Sequence, residues 1–271
     1  MNDLAKDGNI AGQVYYRQDF ARIEEVVGMK IKEKINLDKP GLIENGPITI
    51  VVFGDSITHG SFSPGERDYE SVYWNILRKR IYEKRDYVPI NVINAGIGGV
   101  TAKRSIGRLQ TQVLDHHSDL VIVCFGLNDV NGTLEDYVNS LREIFSKIQE
   151  SGTELIFMTP NMLNTYVRSD VSEEKVAYAQ KTAKFQSDGI MDLYIESAVA
   201  LAKEMNVVVC DCYAKWKELA KTQDTTMLLA NGINHPTKEM HKLFADELYK
   251  LIFDEEIEIA KNESSMYSEE Q

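Results

Sequence analysis

Apolar positions along the chain follow two periods. From Ile48 onward, short continuous apolar runs alternate with longer segments in which apolar residues recur every three or four positions. The runs Ile48–Phe53, Val88–Ile93, Leu120–Phe125, Glu154–Met158 and Val207–Cys210 predict five strands. Leu120–Phe125 is apolar on both faces, as a central parallel strand covered by helices must be. Between the runs, Val72, Trp74, Ile76, Leu77 and Ile81 mark one helix, and Ile106, Leu109 and Val113 a second over about Lys103–Leu114. Val138, Leu141, Ile144, Phe145 and Ile148 predict a helix over Tyr137–Ile148, and residues 172–205 one long or two shorter helices. Met240, Leu243, Phe244, Leu248 and Leu251 place a closing helix over about Thr237–Phe253. Strands alternating with helices predict an α/β chain: a five-stranded parallel sheet, helices on both faces, right-handed crossovers.

Residues 1–46 read as an N-terminal helical extension, with Phe20, Ile23, Val26 and Val27 on one face of a helix over Tyr15–Lys34. Pro40-Gly41 and Asn45-Gly46-Pro47 break that pattern. Residues 47–253 form the main domain, and 254–271 an acidic tail expected to fray. With 271 residues, 43% of them apolar, the chain can bury a full core as one domain.

A net charge of −12 argues against nucleic acid or an anionic membrane as partner, since both call for a basic face. No apolar run reaches the roughly 18 residues of a membrane-spanning helix. The start Met1-Asn2-Asp3-Leu4-Ala5-Lys6 lacks the layout of a signal peptide, so a cytoplasmic location is expected if Met1 is the native start. The cysteines are three: Cys124 inside an apolar run, and Cys210 and Cys212 expected on opposite faces of a strand. Their sparse, odd count fits reduced thiols rather than disulfides or zinc.

Chemistry concentrates where strands end. The first run stops at Gly54-Asp55-Ser56, the second at Asn94-Ala95-Gly96-Ile97-Gly98-Gly99, the third at Gly126-Leu127-Asn128-Asp129. In a parallel sheet these turns share one edge, where open α/β sheets hold ligands. His235, in Asn231-Gly232-Ile233-Asn234-His235-Pro236, precedes the closing helix and joins the same rim. Ser56 alone reads equally as a helix cap; with His235 it becomes a candidate nucleophile and base, because a serine hydroxyl needs a neutral imidazole to take its proton. The backbone N–H groups of Ser56 and Gly99 and the Asn128 amide are candidate donors to a developing oxyanion.

Taken together, Gly54-Asp55-Ser56-Ile57-Thr58, Asn94-x-Gly96-x-x-Gly99-x-Thr101, Gly126-x-Asn128-Asp129 and His235-Pro236 resemble, in order, the four blocks of the SGNH hydrolases, also called GDSL esterases/lipases. The resemblance spans about Ile48–Phe253. It implies a flavodoxin-like three-layer α/β/α sandwich with Ser56 as nucleophile, Gly99 and Asn128 as oxyanion donors and His235 as general base. It implies a serine esterase working through an acyl-serine intermediate on a small-molecule ester, a small acyl group such as a carbohydrate O-acetyl being favoured, with no metal or organic cofactor. An acyltransferase and a non-catalytic binding protein on the same scaffold are the alternatives. The family usually carries an aspartate three residues before the histidine, and here that position is Gly232. Asn231, a backbone carbonyl or Asp224 are the candidates to orient His235 instead.

Other polar residues have plainer expected roles. Asp55 reads as a cap, Asp129 as a loop brace, His59 as an exposed side chain, His116-His117 as a helix end and His241 as packing. The Gly96-Ile97-Gly98-Gly99 turn lacks the third glycine of a dinucleotide loop, its place held by Thr101, and no Gly-x-Ser-x-Gly elbow surrounds Ser56.

Overall fold

The computed structural model describes residues 30–253. Most of the helix expected over Tyr15–Lys34, and the whole tail 254–271, lie outside the described residues; residues 30–35 are helical. The elements that follow are α1 (Lys39–Asn45), β1 (Ile48–Gly54), α2 (Ser56–His59), α3 (Tyr73–Lys84), β2 (Ile90–Gly96), α4 (Ala102–Ser105), α5 (Leu109–Gln112) and β3 (Leu120–Cys124). They continue as α6 (Leu134–Glu150), β4 (Glu154–Met158), α7 (Glu173–Ser187), α8 (Ile190–Glu204), β5 (Val208–Cys210), α9 (Cys212–Leu219) and α10 (Lys238–Phe253).

The five strands form one parallel sheet in the order β2-β1-β3-β4-β5. This is the doubly wound order with its switch point between β1 and β3. α3 and α10 pack on each other, while α6 contacts α4 and α8, and α7 contacts α8. Two helical layers therefore enclose the sheet, making the expected three-layer sandwich. Every residue of β3 and β4 is buried, and Phe53 of β1 meets Phe125 edge to face at 5.2 Å. Each such fully buried aliphatic or aromatic side chain contributes about 1.5–3 kcal/mol relative to exposure.

Several boundaries differ from expectation. β2 begins and ends later than Val88–Ile93, because Asn94, Ala95 and Gly96 pair in register with Val52, Phe53 and Gly54. Tertiary pairing here overrides their low strand propensity. The expected Lys103–Leu114 helix is broken into α4, a 3₁₀ turn at Ile106–Arg108, α5 and a second 3₁₀ turn at Leu114–His116. Gly107 weakens its middle, and Arg108 turns inward, donating to the carbonyls of Gly54 and Ala95 at the sheet edge. α1 forms where Pro40-Gly41 signals a break: Pro40 lies in the first turn, and the Asp38 carboxylate caps it by accepting from Gly41 N–H.

The apolar pattern does not announce α9. Asp211 caps it by accepting from Ala214 N–H at 3.1 Å, so the chain turns from strand to helix between Cys210 and Cys212. The two cysteines do not face apart as expected, because residues two positions apart on an extended chain share a face; their sulfurs lie 3.7 Å from each other, both buried.

Candidate active site

The register sets the ends of β1, β2 and β3 level: Gly54 pairs with both Gly96 and Cys124. α2 starts immediately beyond and lies directly on these ends. A Cβ on Gly54 would stand 2.3 Å from Thr58 Oγ1, and one on Gly96 would stand 2.4 Å from the His59 nitrogen. Only glycine allows that approach. Asp55 takes the capping role, its Oδ1 accepting from Ile57 N–H at 3.0 Å. Ser56 is thereby the first helical residue rather than the cap, and its hydroxyl is free to face the rim.

That hydroxyl meets the imidazole. Ser56 Oγ lies 2.9 Å from His235 Nε2, across 179 positions of sequence. On the other side of the ring, His235 Nδ1 lies 2.8 Å from the carbonyl oxygen of Phe62. A carbonyl only accepts, so Nδ1 carries the proton and Nε2 presents its lone pair to Ser56. Burial lowers the His235 pKa below its ordinary value, the Phe62 carbonyl opposes that shift, and the Arg67 charge adds to it. The ring is accordingly neutral near pH 7.

Phe62 belongs to a tight hairpin that follows α2. Ser61 N–H donates to Ser56 O at 2.9 Å, Asp68 N–H to Gly60 O at 2.9 Å and Phe62 N–H to Glu66 O at 3.3 Å, with Ser61 bridged to Arg67. The carbonyl candidate for orienting His235 is therefore the one the geometry supplies. Asn231 is not at the ring: its Oδ1 accepts from the N–H groups of Ile233, Asn234 and His235, folding the loop that delivers the histidine. Asp224 is elsewhere too, accepting from Thr226 N–H and from Tyr166 Oη. Gly232 has φ +66, and Arg168 crowds the place a side chain would occupy.

The glycine turn lies beside the serine, since a Cβ on Gly98 would be 3.8 Å from Ser56 Cβ. Gly99 next to it is exposed, with open space where its side chain would be. Asn128, half-buried, donates through Nδ2 to Val100 O at 3.0 Å and more weakly to Asp55 Oδ2 at 3.3 Å. These bonds fix the amide against the residue that precedes Ser56. Beneath it, burial pushes the carboxyls of Asp55 and Asp129 up to about 7. Asp129 Oδ1 accepts from Ala102 N–H at 2.8 Å, and the backbone N–H groups of Asp129 and Gly126 also bear on the carboxyl, so it braces its own loop as expected and ties it to the loop after β2 as well.

The remaining histidines divide. His59 is half-buried rather than exposed, and its Nδ1 accepts from Gly98 N–H at 3.3 Å, supporting the glycine turn. His241 is packed as expected, buried against Phe62, Tyr73 and Phe244 and held neutral with a pKa lowered to about 3 by burial. His116 and His117 are exposed at the end of a 3₁₀ turn.

Three contributors escape the sequence. Phe62 acts through a main-chain atom, which no residue type announces. Asn161 and Asn164, both fully buried after β4, hold the histidine loop: Asn161 Nδ2 donates to Asn234 O at 3.0 Å, and Asn164 N–H donates to Ile233 O at 2.9 Å. Two asparagines just past an apolar strand are the available signal. Among the described residues, no group of three or more His, Cys, Asp or Glu could hold a metal ion, and no helix is long and apolar enough to cross a membrane.

Known proteins resemble this chain. The profile of the GDSL-like lipase/acylhydrolase family matches residues 52–243. An arylesterase of Vibrio mimicus is 28% identical over 153 residues, 55% of this chain and 72% of that protein. An uncharacterized lipoprotein of Bacillus subtilis, YqeF, is 40% identical over 82 residues, 30% of this chain and 31% of that protein. Among solved structures, Axe2, an acetylxylan esterase from Geobacillus stearothermophilus, superposes with a TM-score of 0.58 at 22% identity, covering 76% of this chain and 94% of that one. With a matched region of this extent on a fold of this order, the chain belongs to the GDSL-like lipase/acylhydrolase family and is a hydrolase of ester bonds.

Proposed function

We propose that the protein is a serine esterase that removes small acyl groups, O-acetyl groups on carbohydrate among them, through an acyl-serine intermediate. The observation that carries this is the contact of 2.9 Å between Ser56 Oγ and His235 Nε2, with Nδ1 occupied by the Phe62 carbonyl. In the first step His235 Nε2 takes the Ser56 proton as Oγ attacks the ester carbonyl carbon. The charge on the carbonyl oxygen is met by the N–H groups of Ser56 and Gly99 and by the Asn128 amide, which turns one N–H from Asp55 toward it. Collapse expels the alcohol with the proton from His235; water then attacks the acyl-serine by the same route and frees the acid.

The Phe62 carbonyl stabilises the imidazolium by a hydrogen bond but not by a full opposite charge, so Ser56 and His235 work as a dyad with a main-chain third member. Preference for acetyl over long acyl chains is supported by the likeness to an acetylxylan esterase. Ser56→Ala tests the assignment with p-nitrophenyl acetate and a panel of acetylated sugars. Turnover should vanish, as should labelling by a fluorophosphonate probe; a variant as active as the parent sinks the mechanism.

A further inference from the structure

The hairpin that presents the Phe62 carbonyl is a two-residue bridge closed over Pro64-Gly65, too small to hold its own shape. Its position comes from α10. The Phe62 side chain is buried with its ring 4.7 Å from that of His241. Lys238 Nζ bonds Asp68 Oδ2 at 2.7 Å, reaches Glu66 Oε1 at 3.4 Å, and stands 5.7 Å from the Phe62 ring centre. Lys238 and His241 are three residues apart and so share one face of α10. His235 lies three residues before Lys238. One helix start thus holds both the imidazole and the loop that carries its partner.

Asp68 is fixed at its other oxygen as well, where it accepts from Glu70 and Ser71 N–H at 2.9 and 3.0 Å. The lysine bond holds the Asp68 carboxyl well below its ordinary range, so it stays ionised and the link is charged throughout the working range of a histidine base. Arg67 on the hairpin and His241 on α10 are the other charged or titratable groups bearing on His235. A carboxylate would draw an imidazolium from a distance; a neutral carbonyl works only within hydrogen-bond range. In this protein the geometry must therefore be held mechanically.

We propose that Lys238 is a positioning residue of the reaction, clamping the 60–68 hairpin through Asp68 and Glu66 so that the Phe62 carbonyl stays on His235 Nδ1; the inference rests on the serine–histidine assignment above. An ion pair whose lysine is exposed to solvent adds little to stability, so its loss should loosen the site while the fold persists.

The test compares Lys238→Met, Lys238→Arg and Asp68→Asn with the parent in p-nitrophenyl acetate turnover and thermal melting. Lys238→Met and Asp68→Asn should each lower kcat about tenfold, with KM and melting little changed, and Lys238→Arg should retain most of kcat. The Lys238→Met/Asp68→Asn pair should fall no further than Lys238→Met alone, because Asp68 acts on the hairpin through that lysine. Asp68→Asn keeps the acceptor for Glu70 and Ser71 and reads the same link should the methionine variant unfold. Unchanged kcat in an active parent's Lys238→Met and Asp68→Asn, or a change confined to KM, overturns the clamp alone. A parent that neither turns over ester nor reacts with a fluorophosphonate overturns the serine–histidine assignment, and the clamp with it.

Discussion

A Cβ atom on Gly232 would lie 3.1 Å from Arg168 Nε. The position at which the family usually places its acid is thus backed by a guanidinium, itself pinned by two bonds to Asp170 and one to Leu229 O. Restoring the aspartate by Gly232→Asp should not raise kcat. The left-handed φ of +66 costs a non-glycine residue about 1–2 kcal/mol, so the melting temperature should fall. A Gly232→Asp enzyme faster than the parent would show that the carboxylate can displace the Phe62 carbonyl from the ring.

The pH profile follows from the environment of His235. Burial lowers its pKa from the ordinary 6.5. The neutral ring is the active form, so activity is lost as pH falls through that lowered value and is flat above it. The acid limb of kcat/KM should therefore have its midpoint below about 6.5. A midpoint near or above 7 would mean that a stronger acid partner than a carbonyl holds the ring.

Asn128 donates to Val100 O and Asp55 Oδ2 in the resting enzyme. On the proposed mechanism it turns the weaker of these N–H groups to the oxyanion. Asn128→Ala should lower kcat about 10²–10³-fold with KM nearly unchanged. A loss expressed in KM instead would make the amide a ground-state binding group.

Asp129 gives a stability prediction. Its carboxyl is raised by burial from 3.8 to about 7 in the folded state, so the folded protein keeps this proton where the unfolded chain has released it. The stability contributed is fully present below about pH 3.8 and is lost as pH rises through about 7. Asp129→Asn removes that dependence. The melting temperature of the parent relative to Asp129→Asn should decline between pH 5 and pH 8; a difference that grows with pH would refute a neutral buried Asp129.

How much of this is written in side chains varies by element. β3 and β4 are plain because helices cover both their faces, which forces unbroken apolar runs. The end of β2 is not, because Asn94-Ala95-Gly96 reads as a turn and becomes strand only by pairing with β1. At the site, Ser56, Asn128 and His235 are legible because the chemistry proposed for them belongs to the residue type, and Gly99 because its turn, at a φ of +76, calls for glycine. Phe62 is invisible for the opposite reason: any residue there would offer the same carbonyl oxygen. Asn231 looks like an orienting group, yet three backbone N–H groups of its own loop claim its oxygen first.

On the proposed mechanism, the 179 positions between Ser56 and His235 also set when the enzyme becomes competent. The hydroxyl arrives with the first βα unit, whereas the imidazole arrives with the loop that leads into α10. A chain still emerging from the ribosome, or one clipped ahead of that loop, carries an inert alcohol on a half-built sheet. Ester cleavage by this dyad therefore waits for α10 to dock, and a nascent chain is chemically silent until then.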